Sequence, residues 1–297
     1  MPRVRLPVPL KRLLLPAVRY ARSARDGSSL LALALHYLRA LQDDSSYAGE
    51  YAYLCRLLAR LDIPGGYVVD IAACDGVSQS CTRGFFRQPA WSGLAVEMDP
   101  DKFSRLAFSY SNYGNARLAR CRVTPHNVVA LLQGFEVPQR FTLLNLDIDS
   151  YDLYVMESLL RAGFAPTVIT MEVNEKIPPP LYFTVDYHPT HYWAGDDFFG
   201  CSLTAAAAVV RAHGYVLESL NYNNAIFVRA DAAQGRIADQ DVASAYDEGY
   251  RNRPERKQLF YWNARVEPLL HATPAQAQAF LQDYFRAYEG RYTLRVD

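Results

Sequence analysis

Tyr67-Val-Val-Asp-Ile-Ala-Ala-Cys-Asp-Gly76 reads as a buried strand running into a tight turn, and Gly93-Leu-Ala-Val-Glu-Met-Asp99 as a second strand that ends in a carboxylate. Asp75 and Glu97 stand 22 positions apart, about the spacing at which dinucleotide-binding folds set an acid against a ribose. A ligand containing a nucleoside is the first expectation from this stretch.

Downstream, strands and helices alternate. Apolar runs predict strands at 67–72, 92–97, 116–123, 141–147, 167–173, 215–220 and 225–229, and helical spacing predicts helices at 77–87, 100–112, 126–134, 151–162 and 202–213. Such alternation specifies an α/β fold, a Rossmann-like and mostly parallel sheet with helices on both faces. The last two strands are separated only by Asn221-Tyr-Asn-Asn224, a hairpin-type turn, so the seven-stranded sheet is expected to end antiparallel. Upstream, Pro64-Gly65-Gly66 stops a leucine-rich helical region. Four segments follow: a basic arm at 1–27, N-terminal helices at 28–65, the α/β domain at 66–230, and a helical appendage at 231–297.

Composition sets the outer limits. The 297 residues carry 31 basic and 31 acidic side chains, and this formal net charge of zero argues against a general nucleic-acid binder. Five cysteines without a Cys-x-x-Cys pair give neither a disulfide framework nor a zinc site, which fits a reducing, cytoplasmic setting. No apolar run approaches the roughly 18 residues needed to span a bilayer. The arm has seven basic residues before its first acid, Asp26, with leucines between them. Peripheral contact with anionic lipid and a contact between copies of the chain in a homo-oligomer are both open readings of it.

The blocks Val69–Gly76, Gly93–Asp99, Leu144-Asn-Leu-Asp-Ile-Asp-Ser-Tyr-Asp152 and Met171-Glu-Val-Asn-Glu-Lys-Ile-Pro-Pro-Pro180 resemble class I S-adenosylmethionine (SAM) dependent methyltransferases. Within that class they are similar to FkbM-type enzymes and to bacterial proteins of glycan and natural-product gene neighbourhoods. The resemblance covers about residues 66–230. It implies SAM as cofactor, a ribose gripped by Glu97, and a turn near 72–76 holding the methionine part. The family pattern would have glycines near 72, 74 and 76, whereas this chain has Ala72, Cys74 and Gly76. The implied cofactor contacts are therefore Asp70, Ala72, Asp75, Gly76, Glu97 and Asp147, with one of the turn's two aspartates an alternative helix cap.

Asp147 and Asp149 follow an apolar strand, and Glu172 and Asn174 follow the next, so all four are expected at the carboxyl edge of the sheet. Oxygen ligands from adjacent strand ends suit Mg²⁺ or Mn²⁺. Catechol-type O-methyltransferases resemble this arrangement, and the metal set is read as Asp147, Asp149, Glu172 and Asn174. The alternative is a hydrogen-bonded carboxylate cluster without metal. The segment 174–200, with three prolines and many aromatics, is read as a lid over the substrate. It contributes His188 and His191, which join Asp149 as candidate general bases, and Lys176 is a weaker candidate.

The expected activity is methyl transfer to a hydroxyl of a small polar acceptor, a sugar or a natural-product intermediate. Two other functions compete. Asp147-Ile-Asp149 also resembles the DxD element of metal-dependent glycosyltransferases, and Ala72 with Cys74 leaves room for a non-catalytic binding protein of the same fold.

Overall fold

The computed structural model describes residues 44–297. The basic arm and the leucine-rich segment up to residue 43 lie outside the described residues.

A helix, α1 (Glu50–Arg60), turns Leu54, Leu57 and Leu58 inward at helical spacing. It leads to β1 (Gly66–Ile71), which sits in the middle of the main sheet. The next short helix, α2 (Arg83–Phe86), precedes β2 (Trp91–Glu97). Then come α3 (Pro100–Ser109), β3 (Ala116–Arg120), α4 (Val128–Gly134), β4 (Leu143–Leu146), α5 (Asp152–Arg161) and β5 (Val168–Glu172). The helices start where sequence chemistry dictates. The Asp99 carboxylate accepts the backbone N–H of Asp101 and Lys102, and Pro100 occupies the first turn of α3.

After β5 the chain leaves the sheet to form β6 (Leu181–Val185), and returns through α6 (Leu203–Ala212) to the hairpin β7 (Tyr215–Asn221) and β8 (Asn224–Arg229). The sheet order is β3-β2-β1-β4-β5-β8-β7, with β8 antiparallel to β5 and β7 antiparallel to β8. This is the seven-stranded, mostly parallel sheet with a terminal hairpin expected from the sequence. Short helices α7 (Ala230–Ala233), α8 (Val242–Tyr246) and α9 (Arg256–Leu259) and the longer α10 (Pro274–Tyr284) follow.

Two expectations need correction. The helix at 77–87 shrinks to α2, because the Asp75 carboxylate binds the N–H groups of Val77 and Ser78 and Gln79 adopts a left-handed φ of 60°, which together spend six residues on a turn. The C-terminal region is not wholly helical either. Its last strand, β9 (Tyr292–Val296), pairs antiparallel with β6 in a separate two-stranded sheet. Ile177, Leu181, Phe183 and Phe198 from the 174–200 segment pack there with Leu269, Leu281 and Phe285 as a core of their own. The C-terminal region is thus the foundation of that segment. Among the described residues no helix is long and apolar enough to cross a membrane.

Candidate functional site

Sheet register brings the acids together. Ile71 pairs with Val96 on one side and with Leu146 on the other, and Leu146 pairs with Met171. The next residue of each strand therefore falls in one row at the carboxyl edge: Glu97, Ala72, Asp147, Glu172. The row continues to Arg120 beside Glu97 and to Asn224 beside Glu172. One register row thus converts four separate sequence motifs into one site.

Above this row is a crevice of about 430 Å³. Ala72, Cys74 and Gln79 wall one side, Glu97, Met98 and Lys102 a second, Asp147–Tyr151 a third, and His191–Trp193 lie across it. Glu97 is buried. Its Oε2 accepts the Cys74 N–H at 2.9 Å and its Oε1 accepts the Asp99 N–H at 2.7 Å. These two bonds fix the carboxylate and tie the first turn to the end of β2, while each oxygen keeps a lone pair for a further donor.

The turn itself tests whether an adenosyl amino acid can sit there. Ala72 (φ 72°), Cys74 (φ 53°) and Gly76 (φ 73°) all adopt the left-handed conformation that glycine favours. At Gly76 a side chain is excluded, since a Cβ would lie 2.6 Å from both Leu106 and Tyr110. Positions 72 and 74 hold the same backbone with small side chains, so the turn geometry of a cofactor cradle survives the loss of two glycines. The residues fit the cofactor.

Asp70 and Asp75 separate in role. Asp75 accepts from Val77 N, Ser78 N and Ser78 Oγ, acts as the cap of the turn, and is not part of the crevice wall. Asp70 is buried under the turn, accepting Thr82 Oγ1 at 2.6 Å and Asn145 Nδ2 at 2.8 Å; burial pushes its carboxyl upward, opposed by those two bonds.

On the other side of the row, ligand oxygens of Asp147, Asp149 and Glu172 lie within 4.8 Å of one another. Burial pushes the Asp147 and Glu172 carboxyls well above the usual range, and the neighbouring acids push them further. Asp149 is raised too, chiefly by burial, and a hydrogen bond with Glu172 opposes the rise. Asn223 Nδ2 donates to Glu172 Oε1, whereas Glu172 Oε2 is buried with no hydrogen-bond partner among the described residues. A hard divalent cation would satisfy that oxygen and relieve the crowding of three carboxyls. Asn174 follows Glu172 by two residues; its Nδ2 donates to the carbonyls of Asp197 and Phe199 and fastens the 174–200 segment, while its Oδ1 is buried with no hydrogen-bond partner among the described residues.

The two histidines also part. His188 is exposed, with Nδ1 against Thr190, and is not part of the crevice wall. His191 is 5% exposed and lines the crevice, but Arg291 lies 3.3 Å from its Nδ1. A guanidinium only donates, which leaves the proton of the neutral ring on Nε2. Burial first, then Arg291, lowers the His191 pKa and favours that neutral ring. Lys176 is buried between Glu175 and Asp197, each 3.5 Å away, and over the Phe199 ring.

Three contributors escaped the sequence reading. Asp152 begins α5, and its carboxylate reaches back to the N–H groups of Ile148 and Ser150 and holds the Asp147–Asp149 loop, where Asp149 has φ 55°. Arg122 donates to the carbonyls of Pro189 and His191 and lies 4.1 Å from the Tyr192 ring centroid, clasping the segment over the crevice. Glu50, from α1, accepts Asn224 Nδ2 at 2.6 Å. An acid at a helix start, two and four residues after the loop N–H groups it accepts, is the local signal for Asp152. Nothing local marks the other two.

No family model and no curated protein matches the chain. Among solved structures it is similar to the N-terminal domain of EvdMO1, crystallised in the presence of SAH and D-fucose, at TM-score 0.41 and 14% identity over 65% of this chain and 85% of that one. A putative O-methyltransferase from Klebsiella pneumoniae gives TM-score 0.40 and 12% identity over 77% and 93%. CalO1, a methyltransferase in calicheamicin biosynthesis in its SAH-bound form, gives TM-score 0.35 and 15% identity over 69% and 59%. At these scores the likenesses add nothing to what strand order and register establish.

Proposed function

We propose that the chain is a SAM-dependent methyltransferase that modifies a hydroxyl of a small polar acceptor with the help of a divalent cation. The observation that carries this reading is the register row that sets Glu97, the left-handed turn at 72–76 and Asp147, with Asp149 two residues on, around one crevice, and Glu172 beside Asp147 at its edge. A bound SAM supplies a methyl group on a sulfonium, so little covalent help is asked of the protein.

The chain's own residues then divide the work. Glu97 accepts the ribose hydroxyls on the lone pairs that Cys74 N and Asp99 N leave open. The Ala72–Gly76 backbone carries the methionine part, and Tyr192 and Trp193 close the crevice against water. Asp147, Asp149 and Glu172 would hold Mg²⁺ or Mn²⁺, which lowers the pKa of an acceptor hydroxyl and orients it. Asp149 takes the hydroxyl proton. His191 is the poorer base, since its proton sits on Nε2 and Arg291 engages the other nitrogen. Five free cysteines support a reducing, cytoplasmic setting.

Titration calorimetry with S-adenosylhomocysteine, with and without Mg²⁺, tests the reading, and a UDP-sugar arm tests the glycosyltransferase alternative. Micromolar binding of the homocysteine compound is expected. Heat from the UDP-sugar alone would reverse the assignment, and silence in both arms would leave a non-catalytic fold.

A further inference from the structure

Beneath the turn lies a second space, about 110 Å³, lined by Glu50, Asp70, Cys81, Asn145, Asp147 and Asn224 among others. Ala72, Cys74, Gln79 and Asp147 border both spaces, so the small chamber adjoins the floor of the crevice. Its charge is one-sided: three carboxyls and three amides line it, and no Lys, Arg or His among the described residues does.

Glu50 is the group with capacity to spare. It is 8% exposed, and its Oε1 accepts Asn224 Nδ2, while its Oε2 accepts no hydrogen bond from the described residues. By contrast both Asp70 oxygens are engaged by Thr82 and Asn145. Burial pushes the Glu50 carboxyl up to about 8, with Asp147 and Asp44 adding to the rise and Asn224 opposing it. The other titratable groups around it, Tyr47, Cys81 and Asp70, bring no positive charge. A buried carboxyl beside an enclosed polar space is costly unless a cation or donor completes it.

We infer that this chamber receives a primary ammonium group, with Glu50 as its charge partner and Asp147 and the amide oxygens of Asn145 and Asn224 as further acceptors. A metal ion is the poorer match, because among the described residues only Asp147, Asp149 and Glu172 gather their oxygens closely enough. The acids of the chamber are more widely spread, as three divergent N–H donors require. Glu50 lies outside every segment that carried the family resemblance, in a helix about 20 residues before the turn it faces.

The ammonium can come from the aminoacyl tail of the cofactor, a source that rests on the methyltransferase reading, or from an amine ligand, which does not. Calorimetry on the full chain separates them with three probes: S-adenosylhomocysteine, 5′-methylthioadenosine (the same nucleoside without the tail), and ethanolamine. Glu50→Gln keeps the size and the Asn224 contact and removes the charge. If the tail is the source, this variant weakens S-adenosylhomocysteine by about tenfold or more and leaves 5′-methylthioadenosine unchanged. If an amine ligand is the source, ethanolamine binding falls and both nucleosides keep their affinity. Glu50→Asp, which retains the charge, restores part of either loss.

Equal affinities for all three probes in the parent and Glu50→Gln would overturn the inference, as would equal weakening of both nucleosides. If neither nucleoside binds the parent, the crevice reading fails and ethanolamine alone decides the chamber. A melting temperature of Glu50→Gln at pH 8 no lower than the parent's excludes misfolding, and the removal of a buried charge predicts that result. Should Glu50→Gln fold poorly, Asn224→Asp, which adds a negative charge beside Glu50, is expected to tighten the same ammonium probe, and weaker binding would count against the inference.

Discussion

The two acid sites of the crevice are held in opposite ways. Glu97 is fixed by backbone N–H groups on both oxygens, so the fold itself supplies its partners. Asp147, Asp149 and Glu172 are fixed largely by one another, with Asn223 on one Glu172 oxygen and no described residue on the other. The first arrangement is complete before any ligand arrives and awaits only donors. The second is crowded, and burial together with the neighbouring acids raises its carboxyls. The contrast matches the proposed division of the crevice, with a neutral, hydroxylated ligand on the first site and a positive charge on the second.

Glu97→Ala should break the first side with the largest effect. It removes the acceptors for two ribose hydroxyls and frees the N–H groups of Cys74 and Asp99. Charge-assisted bonds of this kind make the loss in S-adenosylhomocysteine affinity about 100-fold. Unchanged affinity by calorimetry would take Glu97 out of the nucleoside site.

The second side is sharpened by metal and pH together. In the metal-free chain the three acids have folded-state pKa values raised above their unfolded ones. The stability they contribute is therefore present at low pH and is lost as pH rises beyond the ordinary carboxylate range. Mg²⁺ or Mn²⁺ displaces those protons, so the rise in melting temperature with added metal should grow from pH 5 to pH 8. Asp149→Asn removes a ligand and one of the crowded charges together. That variant should stabilise the metal-free chain at pH 8 by about 1 kcal/mol, and abolish the metal response. A metal-induced shift retained by Asp149→Asn would exclude this residue from the ligand set.

The two sides were also unequally legible. Strand order, the terminal hairpin and Glu97 could be read directly, because apolar runs of strand length and an acid at a strand end are local signals. Asp147, Asp149 and Glu172 were placed at one edge for the same reason. What the sequence hid was set by long-range closure. Asn174 stands after a strand end, and its Nδ2 also binds the carbonyls of Asp197 and Phe199 more than twenty residues ahead, a contact that no local signal announces. His188 and His191 are three apart, but only one turns inward. β6 could not be recognised as a strand without β9, over a hundred residues later, to pair with it. Glu50 reaches the site only because α1 packs under the hairpin that carries Asn224.

The smallest effect is expected where the two sides meet under the lid. Residues 186–199 are rooted from behind. The Asp186 carboxylate accepts Tyr154 and Thr293, the Asp197 carboxylate accepts Tyr284, and Phe198 stacks on Tyr288 with ring centroids 3.9 Å apart. On the crevice side the principal charged fastening is Arg122, through two backbone carbonyls and the Tyr192 face. Arg122→Ala therefore leaves those rooting contacts intact and loosens only the tip, residues 189–193. The loss of partly exposed bonds amounts to about 1 kcal/mol, which stopped-flow release of S-adenosylhomocysteine should report as roughly five- to tenfold faster dissociation. Association should change little, because the open lid does not obstruct entry. Faster entry and exit in equal measure would mean that the lid already covers the crevice in the resting protein, with Arg122 latching it against passage in both directions rather than against release alone.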